Sequence, residues 1–198
     1  GPDTFARLPS LDDITGPVST AILGIPFDSG VPYRPGARFG PVGIRMGSKL
    51  LRGYHPYLDV EPWSTGQVAD AGDVACNPFD IPAALEEVQR AAGQVLQQCD
   101  RLVTIGGDHT VALPLLRAMH AKHGPVALVH FDAHLDTWDT YFGAPYTHGT
   151  PFRRAVEEGL LDLDVSAHVG IRGPLYSVGD PAVAKALGIA IVTTVDVA

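Results

Sequence analysis

The chain has few cysteines, fewer basic than acidic residues and no long apolar run. Each of these shortages argues against one class of protein. The chain contains only two cysteines, Cys76 and Cys99, too few for a disulfide framework, so we expect a cytoplasmic location. Basic residues are outnumbered, and the formal net charge of −8 argues against nucleic acid or an anionic membrane as the main partner. No apolar run reaches the ~18 residues that a membrane span needs. An acidic protein of this kind tolerates a cationic small molecule.

Short apolar runs that alternate with helical patterns predict an α/β fold. The predicted strands are 18–25, 67–74, 101–107, 126–131, 166–172 and 189–195, and the predicted helices are 80–99, 110–124, 149–161 and 180–188. This alternation favours one mostly parallel sheet with helices on both faces, in a single domain over residues 1–198. Residues 26–66 are rich in glycine and proline, and we expect a long functional loop there.

The helix predicted over 80–99 carries the clearest signals of its own start and burial. Asp80 is a plausible N-cap and Pro82 falls in the first turn. An apolar stripe on the same helix consists of Leu85, Val88, Val95 and Leu96. We therefore expect this helix to pack on the sheet.

Acidic and imidazole side chains follow two of the predicted strands. Asp132, His134 and Asp136 come directly after strand 126–131, and in an extended chain their spacing places them on one face. The loop "GGDHT" (106–110) adds Asp108 and His109 after another strand, at the same carboxyl edge of a parallel sheet. Such a mixture suits Mn(II), Fe(II), Co(II) or Zn(II). The alternative is that "DAHLD" is a solvated surface turn.

The remaining polar groups near these segments have simpler interpretations. His120 and His123 fall near a helix C-terminus, where a cation is favoured. His130 and His168 lie inside predicted strands, and we interpret them as packing or supporting groups. Asp108 is interpreted as a carboxylate that shapes its loop.

Five segments together resemble one known family. They are "YRPGARFGPVGIR" (33–45), "VADAGDV" (68–74), "GGDHT" (106–110), "FDAHLD" (131–136) and "HGTPFRR" (148–154), in the order in which the ureohydrolases, the arginase–agmatinase family, carry them. The resemblance implies a three-layer α/β/α fold, two Mn²⁺ ions per intact subunit, and hydrolysis of a guanidino compound to urea and an amine. By analogy with the family we also expect a homo-oligomer.

The resemblance also assigns roles to individual residues. His109, Asp132, His134 and Asp136 match the family's first four metal ligands, with Asp132 bridging the two ions. His109 and Asp136 would bind one ion and His134 the other. Asp136 would pass a proton towards the leaving amine, and His148 would relay protons to solvent. The alternative for His148 is structural, since Thr147 or His148 could cap a helix that begins near Pro151.

One departure from the family pattern is large. The family's remaining metal ligands belong to a later D-x-D motif, and a glutamate further on pairs with the guanidinium. The sequence reaches Ala198 before either, and Asp196 is followed by Val197 and Ala198. We therefore expect that the C-terminal part of the fold is missing from this chain and that the fragment alone is inactive.

Two further departures bear on the substrate. Thr137–Trp138 stands where arginases carry an asparagine for the substrate carboxylate, and Gly173–Pro174–Leu175 stands where they carry an acidic stretch. Trp138 could line an apolar channel or stack on a cationic tail; alternatively it packs its loop.

The resemblance favours hydrolysis of agmatine to putrescine. A guanidinobutyrase or another guanidino-acid amidinohydrolase stays open, because Arg153, Arg154 and Arg172 could meet an anionic tail. A metal-poor, non-catalytic binding or regulatory subunit is the alternative of another class.

Overall fold

The computed structural model describes residues 3–64, 66–175 and 177–197. The chain divides into two compact units, Gly1–Val111 and Ala112–Ala198. Each unit has its own three-stranded sheet, so the described strands form two hydrogen-bonded sheets and not the one we predicted. The single domain over 1–198 stays a prediction. Within the described residues, no helix is both long and apolar enough to cross a membrane.

The sheet of the first unit is parallel and has β1 at its centre. Its strands are β1 (Val18–Gly24), β2 (Val68–Asp73) and β3 (Cys99–Ile105), in the order β2-β1-β3. Most side chains of β1 are buried, as the apolar sequence of a central parallel strand requires. All three predicted strands are confirmed.

Helix α2 begins and ends close to where its sequence signals predict. It spans Ile81–Leu96 in the first unit, with Pro82 in its first turn. The Asp80 side chain accepts a hydrogen bond from the Ala83 N–H at 3.1 Å and so caps the helix. The predicted stripe of Leu85, Val88, Val95 and Leu96 is buried.

The predicted loop over 26–66 contains a helix that sequence patterning missed. A 3₁₀ turn at Ala37–Phe39 leads into α1, Gly40–Ser48. Helix α1 exposes several apolar side chains, so it lacks the regular buried stripe by which an amphipathic helix is recognised. Its anchor is a buried cation: Arg45 donates from Nε and Nη2 to the two carboxylate oxygens of Asp70, both at 2.8 Å.

The second unit repeats the parallel arrangement with shorter strands. Strands β4 (Val129–Phe131), β5 (Ala167–Ile171) and β6 (Ala190–Thr193) lie in the order β4-β5-β6. The helices of this unit are α3 (Ala112–His123), α4 (Pro151–Glu157), α5 (Asp180–Ala186) and α6 (Thr194–Val197).

All three strands of the second unit are shorter than predicted, and for β4 and β6 the reasons are local. Val126 forms only an isolated bridge with Leu161, and β4 proper begins three residues later. At the other end, β6 stops at Thr193 because the chain turns into α6. The Asp196 carboxylate accepts hydrogen bonds from the Thr193 N–H and hydroxyl at 2.8 and 2.6 Å, which closes that turn.

Candidate metal centre

The segment after β4 turns instead of continuing as an extended strand. The Asp132 N–H donates to the Val169 carbonyl at 3.1 Å, which prolongs the alignment with β5 by one residue. The Asp132 Oδ1 atom then accepts the His134 N–H at 2.8 Å, and Asp136 adopts a left-handed backbone with φ of +50°. The expectation of an extended Asp132–Asp136 segment was therefore wrong, because a carboxylate side chain captures the backbone amide two residues later.

Three side chains of the second unit converge beside this turn. His130, Asp132 and Asp136 each offer a ligand atom, and these atoms lie within 4.8 Å of one another. The carboxylates of Asp132 and Asp136 offer oxygen donors that Mn(II), Fe(II), Co(II) and Zn(II) accept together with imidazole nitrogen. The two carboxylates therefore fit a divalent metal ion. His130 was interpreted as a packing or supporting group, and its place two residues before Asp132, on the same face of a strand, puts its Nε2 atom 3.5 Å from Asp132 Oδ2.

His134 lies next to this group but is not one of its members. Its Nδ1 atom is 3.3 Å from Asp132 Oδ1, and its side chain is 57% exposed. The ring fits against the backbone of Gly173: a Cβ added there would lie 2.7 Å from His134 Nε2 and 2.9 Å from the Ala133 carbonyl oxygen. The Ala133 carbonyl accepts the N–H groups of Arg172 and Gly173, which fixes the two segments side by side.

Asp108 and His109 belong to the first unit, directly after β3. The buried Asp108 carboxylate accepts the N–H groups of Gly30 at 2.8 Å and Thr110 at 2.7 Å. This confirms that Asp108 shapes its loop. His109 opens the short 3₁₀ turn His109–Val111.

Trp138 and His148 both pack on Tyr141. The Trp138 and Tyr141 rings are stacked, with centroids 5.1 Å apart, and the His148 ring stands perpendicular to Tyr141 at 5.3 Å. The backbone N–H of Trp138 donates to the Gly149 carbonyl at 3.0 Å. A Cβ added at Gly149 would lie 2.8 Å from Cζ3 of Trp138. The loop thus holds Trp138 in place. The Tyr141 ring lies between those of Trp138 and His148.

Capping of α4 does not explain His148. The residue at the N-cap position of α4 is Thr150, and its side chain makes no capping hydrogen bond. The Thr150 hydroxyl accepts the Thr147 N–H at 2.9 Å and donates to the Thr147 carbonyl at 3.1 Å. The structural alternative, in which Thr147 or His148 caps this helix, is therefore wrong.

A pocket in the second unit opens beside Asp136. Its walls include Trp138, Pro174, Leu175 and Val183, together with the carboxylates of Asp139 and Asp180. The cationic Arg153 also lines it, but Arg153 Nε donates to Glu157 at 2.6 Å. Asp139 is in turn paired with Arg154. The pocket thus combines an apolar and aromatic wall with the carboxylates of Asp136, Asp139 and Asp180.

Comparison with known proteins decides the family. The arginase family model matches residues 18–198. The chain belongs to the arginase family. Its predicted membership of that family is confirmed, and so is the arginase-like α/β fold with parallel sheets.

The relatives of this arginase-family chain are named after different substrates. The chain is 43% identical over 193 residues to guanidinopropionase of Pseudomonas aeruginosa, which covers 97% of this chain and 60% of that protein. It is 41% identical over 174 residues to the mitochondrial agmatinase of Gallus gallus, with 88% and 51% covered. Its structure matches proclavaminate amidinohydrolase of Streptomyces clavuligerus with a TM-score of 0.88 at 37% identity, covering 99% of this chain and 66% of that one. The arginase-family chain spans less than two thirds of the length of these relatives.

Proposed function

We propose that the complete gene product hydrolyses a guanidino compound to urea and an amine, and that its substrate is agmatine. The observation that carries the proposal is the placement of Asp136. Its carboxylate belongs both to the convergent group with His130 and Asp132 and to the wall of the pocket that contains Trp138. The proposed metal site and the proposed substrate pocket therefore adjoin at Asp136, and His134 lines the pocket beside it.

His109, Asp132, His134 and Asp136 are the proposed ligands of two Mn²⁺ ions. Support comes from the convergent carboxylates of Asp132 and Asp136 and from membership of the arginase family. When bound, such ions lower the pKa of water and stabilise negative charge in the transition state.

The chain's own residues then have separate tasks in the reaction. Asp136 accepts the proton that the attacking water loses and transfers it to the leaving nitrogen as the C–N bond breaks. His148 exchanges protons with solvent, a task suited to an imidazole because one ring nitrogen can accept a proton while the other donates one. Stacking on Tyr141 holds the His148 ring in one orientation for that exchange. Trp138 offers its aromatic surface to the tail of the substrate.

The charge of the pocket favours a cationic tail. The pocket wall carries the carboxylates of Asp136, Asp139 and Asp180, whereas its cation Arg153 already donates to Glu157 at 2.6 Å. An ammonium group gains from Asp180 and from the face of Trp138. A carboxylate tail, as in guanidinobutyrate or guanidinopropionate, would have to displace Glu157 from Arg153.

Urea release tests this proposal. The complete gene product is loaded with Mn(II) and assayed against agmatine, guanidinobutyrate, guanidinopropionate and arginine. We expect the highest kcat/KM for agmatine. Asp180→Asn should lower kcat/KM for agmatine several-fold and leave that for guanidinobutyrate unchanged, whereas the exposed control Asp164→Asn should alter neither.

Two results would contradict the proposal in different ways. A higher kcat/KM for guanidinopropionate or guanidinobutyrate would overturn the assignment of agmatine and retain the reaction. Failure to release urea from any of the four compounds, together with failure to bind Mn(II), would favour a non-catalytic binding or regulatory subunit.

A further inference from the structure

Two buried histidines of the second unit face each other through the same ring atom. The parallel register of β4 and β5 pairs His130 with His168. Both side chains are buried, and their Nδ1 atoms are 2.7 Å apart, with the Phe152 ring against both imidazoles. Two ring nitrogens at this distance need one hydrogen between them, because two lone pairs or two N–H groups would repel.

The position of that one hydrogen decides which nitrogen of His130 faces Asp132. If His168 donates, a neutral His130 carries its own hydrogen on Nε2. If His130 donates, its Nε2 presents a bare lone pair. His130 Nε2 is 3.5 Å from Asp132 Oδ2, and an ionised carboxylate has only acceptors. A bare Nε2 would thus face another lone pair, whereas an Nε2–H faces an acceptor.

We propose that His168 fixes His130 as its Nε2–H tautomer and that His130 thereby positions the Asp132 carboxylate. This inference rests on the proposed metal site and deepens it. The other oxygen, Oδ1, already accepts the His134 N–H at 2.8 Å, so each Asp132 oxygen then faces one donor. The 3.5 Å separation is longer than an N–H···O hydrogen bond, so the interaction in this structure is electrostatic.

His130 has a different role from the neighbouring aspartates. A metal ligand needs a bare nitrogen, and the Nε2–H tautomer has none on the side of Asp132. His130 is therefore a positioning residue and not a ligand, although its ring lies within the convergent group. His168 acts indirectly, because its hydrogen bond sets which tautomer His130 adopts. Partners of this kind orient metal-binding carboxylates and typically contribute ~10–100-fold to metal affinity.

The tautomers can be read directly in the metal-free protein. Long-range ¹H–¹⁵N correlation spectra of the complete gene product, labelled with ¹⁵N-histidine, report which ring nitrogen carries hydrogen. We expect His130 to be protonated at Nε2 only and His168 at Nδ1. A spectrum with His130 protonated at Nδ1 and bare at Nε2, or protonated at both nitrogens, would overturn the proposal.

Variants of His168 test the consequence for metal binding. His168→Leu removes the donor and should weaken Mn(II) affinity ~10–100-fold. His168→Asn places an amide donor near the position of Nδ1 and should restore most of that affinity. The exposed His123→Asn serves as the control and should bind Mn(II) like the wild type. Equal affinity in the Leu, Asn and wild-type proteins would contradict the positioning role.

The wild-type spectrum keeps this inference distinct from the proposed function. If the protein shows the expected tautomers but binds no Mn(II), the metal site and the positioning role are both wrong. The tautomers of His130 and His168 would still be established. Tight Mn(II) binding with a bare Nε2 on His130 would retain the metal site and overturn the inference.

Discussion

The His134 ring occupies the space that a side chain at Gly173 would need. A Cβ at residue 173 would lie 2.7 Å from His134 Nε2 and 2.9 Å from the carbonyl oxygen of Ala133, and the latter is backbone that already accepts the Gly173 N–H. The Ala133 carbonyl is held by its hydrogen bonds to Arg172 and Gly173, so the exposed His134 ring is the neighbour that has to move. The position of His134 beside Asp132 therefore depends on a residue far along the sequence.

Gly173→Ala should weaken Mn(II) binding, because the added methyl group displaces the His134 ring from Asp132. We expect a loss of about 10-fold or more in affinity, measured by competition with a fluorescent chelator. Gly179→Ala is the matched control, since the nearest atom to its added Cβ is Ser177 Oγ at 3.7 Å. Unchanged affinity in Gly173→Ala would show that His134 does not need this position to bind metal.

Removal of single proposed ligands tests the metal assignment itself. The complete gene product should bind close to two Mn(II) ions per chain, and His109→Ala or Asp132→Ala should lower that number. Asp132→Ala should have the larger effect because the family resemblance assigns it to both ions. Metal content is measured by elemental analysis after gel filtration. Full occupancy in both variants would remove these residues from the ligand set.

His148→Asn should lower turnover by ~10²–10⁴-fold while metal content and unfolding behaviour stay close to wild type. The structure sharpens this expectation, because the N-cap position of α4 is occupied by Thr150. Steady-state urea release is the measurement, and added imidazole should restore part of the rate. Wild-type turnover across neutral pH would exclude His148 from proton transfer and leave the metal assignment intact.

The buried ion pair of Arg45 with Asp70 should dominate the stability of the first unit. Arg45→Ala leaves the buried Asp70 carboxylate without its cation and should cost about 3–5 kcal/mol of unfolding free energy. Denaturant titration followed by fluorescence measures this loss. Lys49→Ala is the control, since its ion pair with Asp3 lies at the surface, where solvent screening leaves little net stabilisation. A small effect in Arg45→Ala would mean that α1 does not depend on this anchor.

The Asp70 carboxylate should make the folded protein less stable in acid. Burial raises the pKa of Asp70, but hydrogen bonds from Arg45 and from two backbone N–H groups outweigh it and hold the pKa below the ordinary 3.8. A lowered folded pKa contributes stability that is complete above the unfolded value and is lost as pH falls through the folded value. Unfolding free energy should therefore fall steeply below about pH 4. Asp70→Asn should be less stable at neutral pH and should show a shallower decline. An equal decline in both proteins would assign the acid sensitivity to other groups.

The fold was predictable where local sequence and burial agree. The strands over 18–25 and 101–107 and the capped helix over 80–99 were found from apolar runs and from Asp80, because hydrophobic burial and capping act over a few residues. Helix α1 was missed because Arg45 anchors it to Asp70, which lies in strand β2, 25 residues further along the chain. No pattern of residues close together in the sequence predicts that ion pair.

The sequence by itself determined which polar residues follow the strands: Asp132, His134, Asp136 and, through family resemblance, His109 and His148. Only the tertiary structure decided how the side chains of the second unit are arranged. A strand register placed His130 opposite His168, a side chain of Asp132 turned the chain at His134, and Gly173 made room for that ring. Residue types and spacing fix the available chemistry, whereas hydrogen bonds and close packing between distant segments fix which atoms face one another.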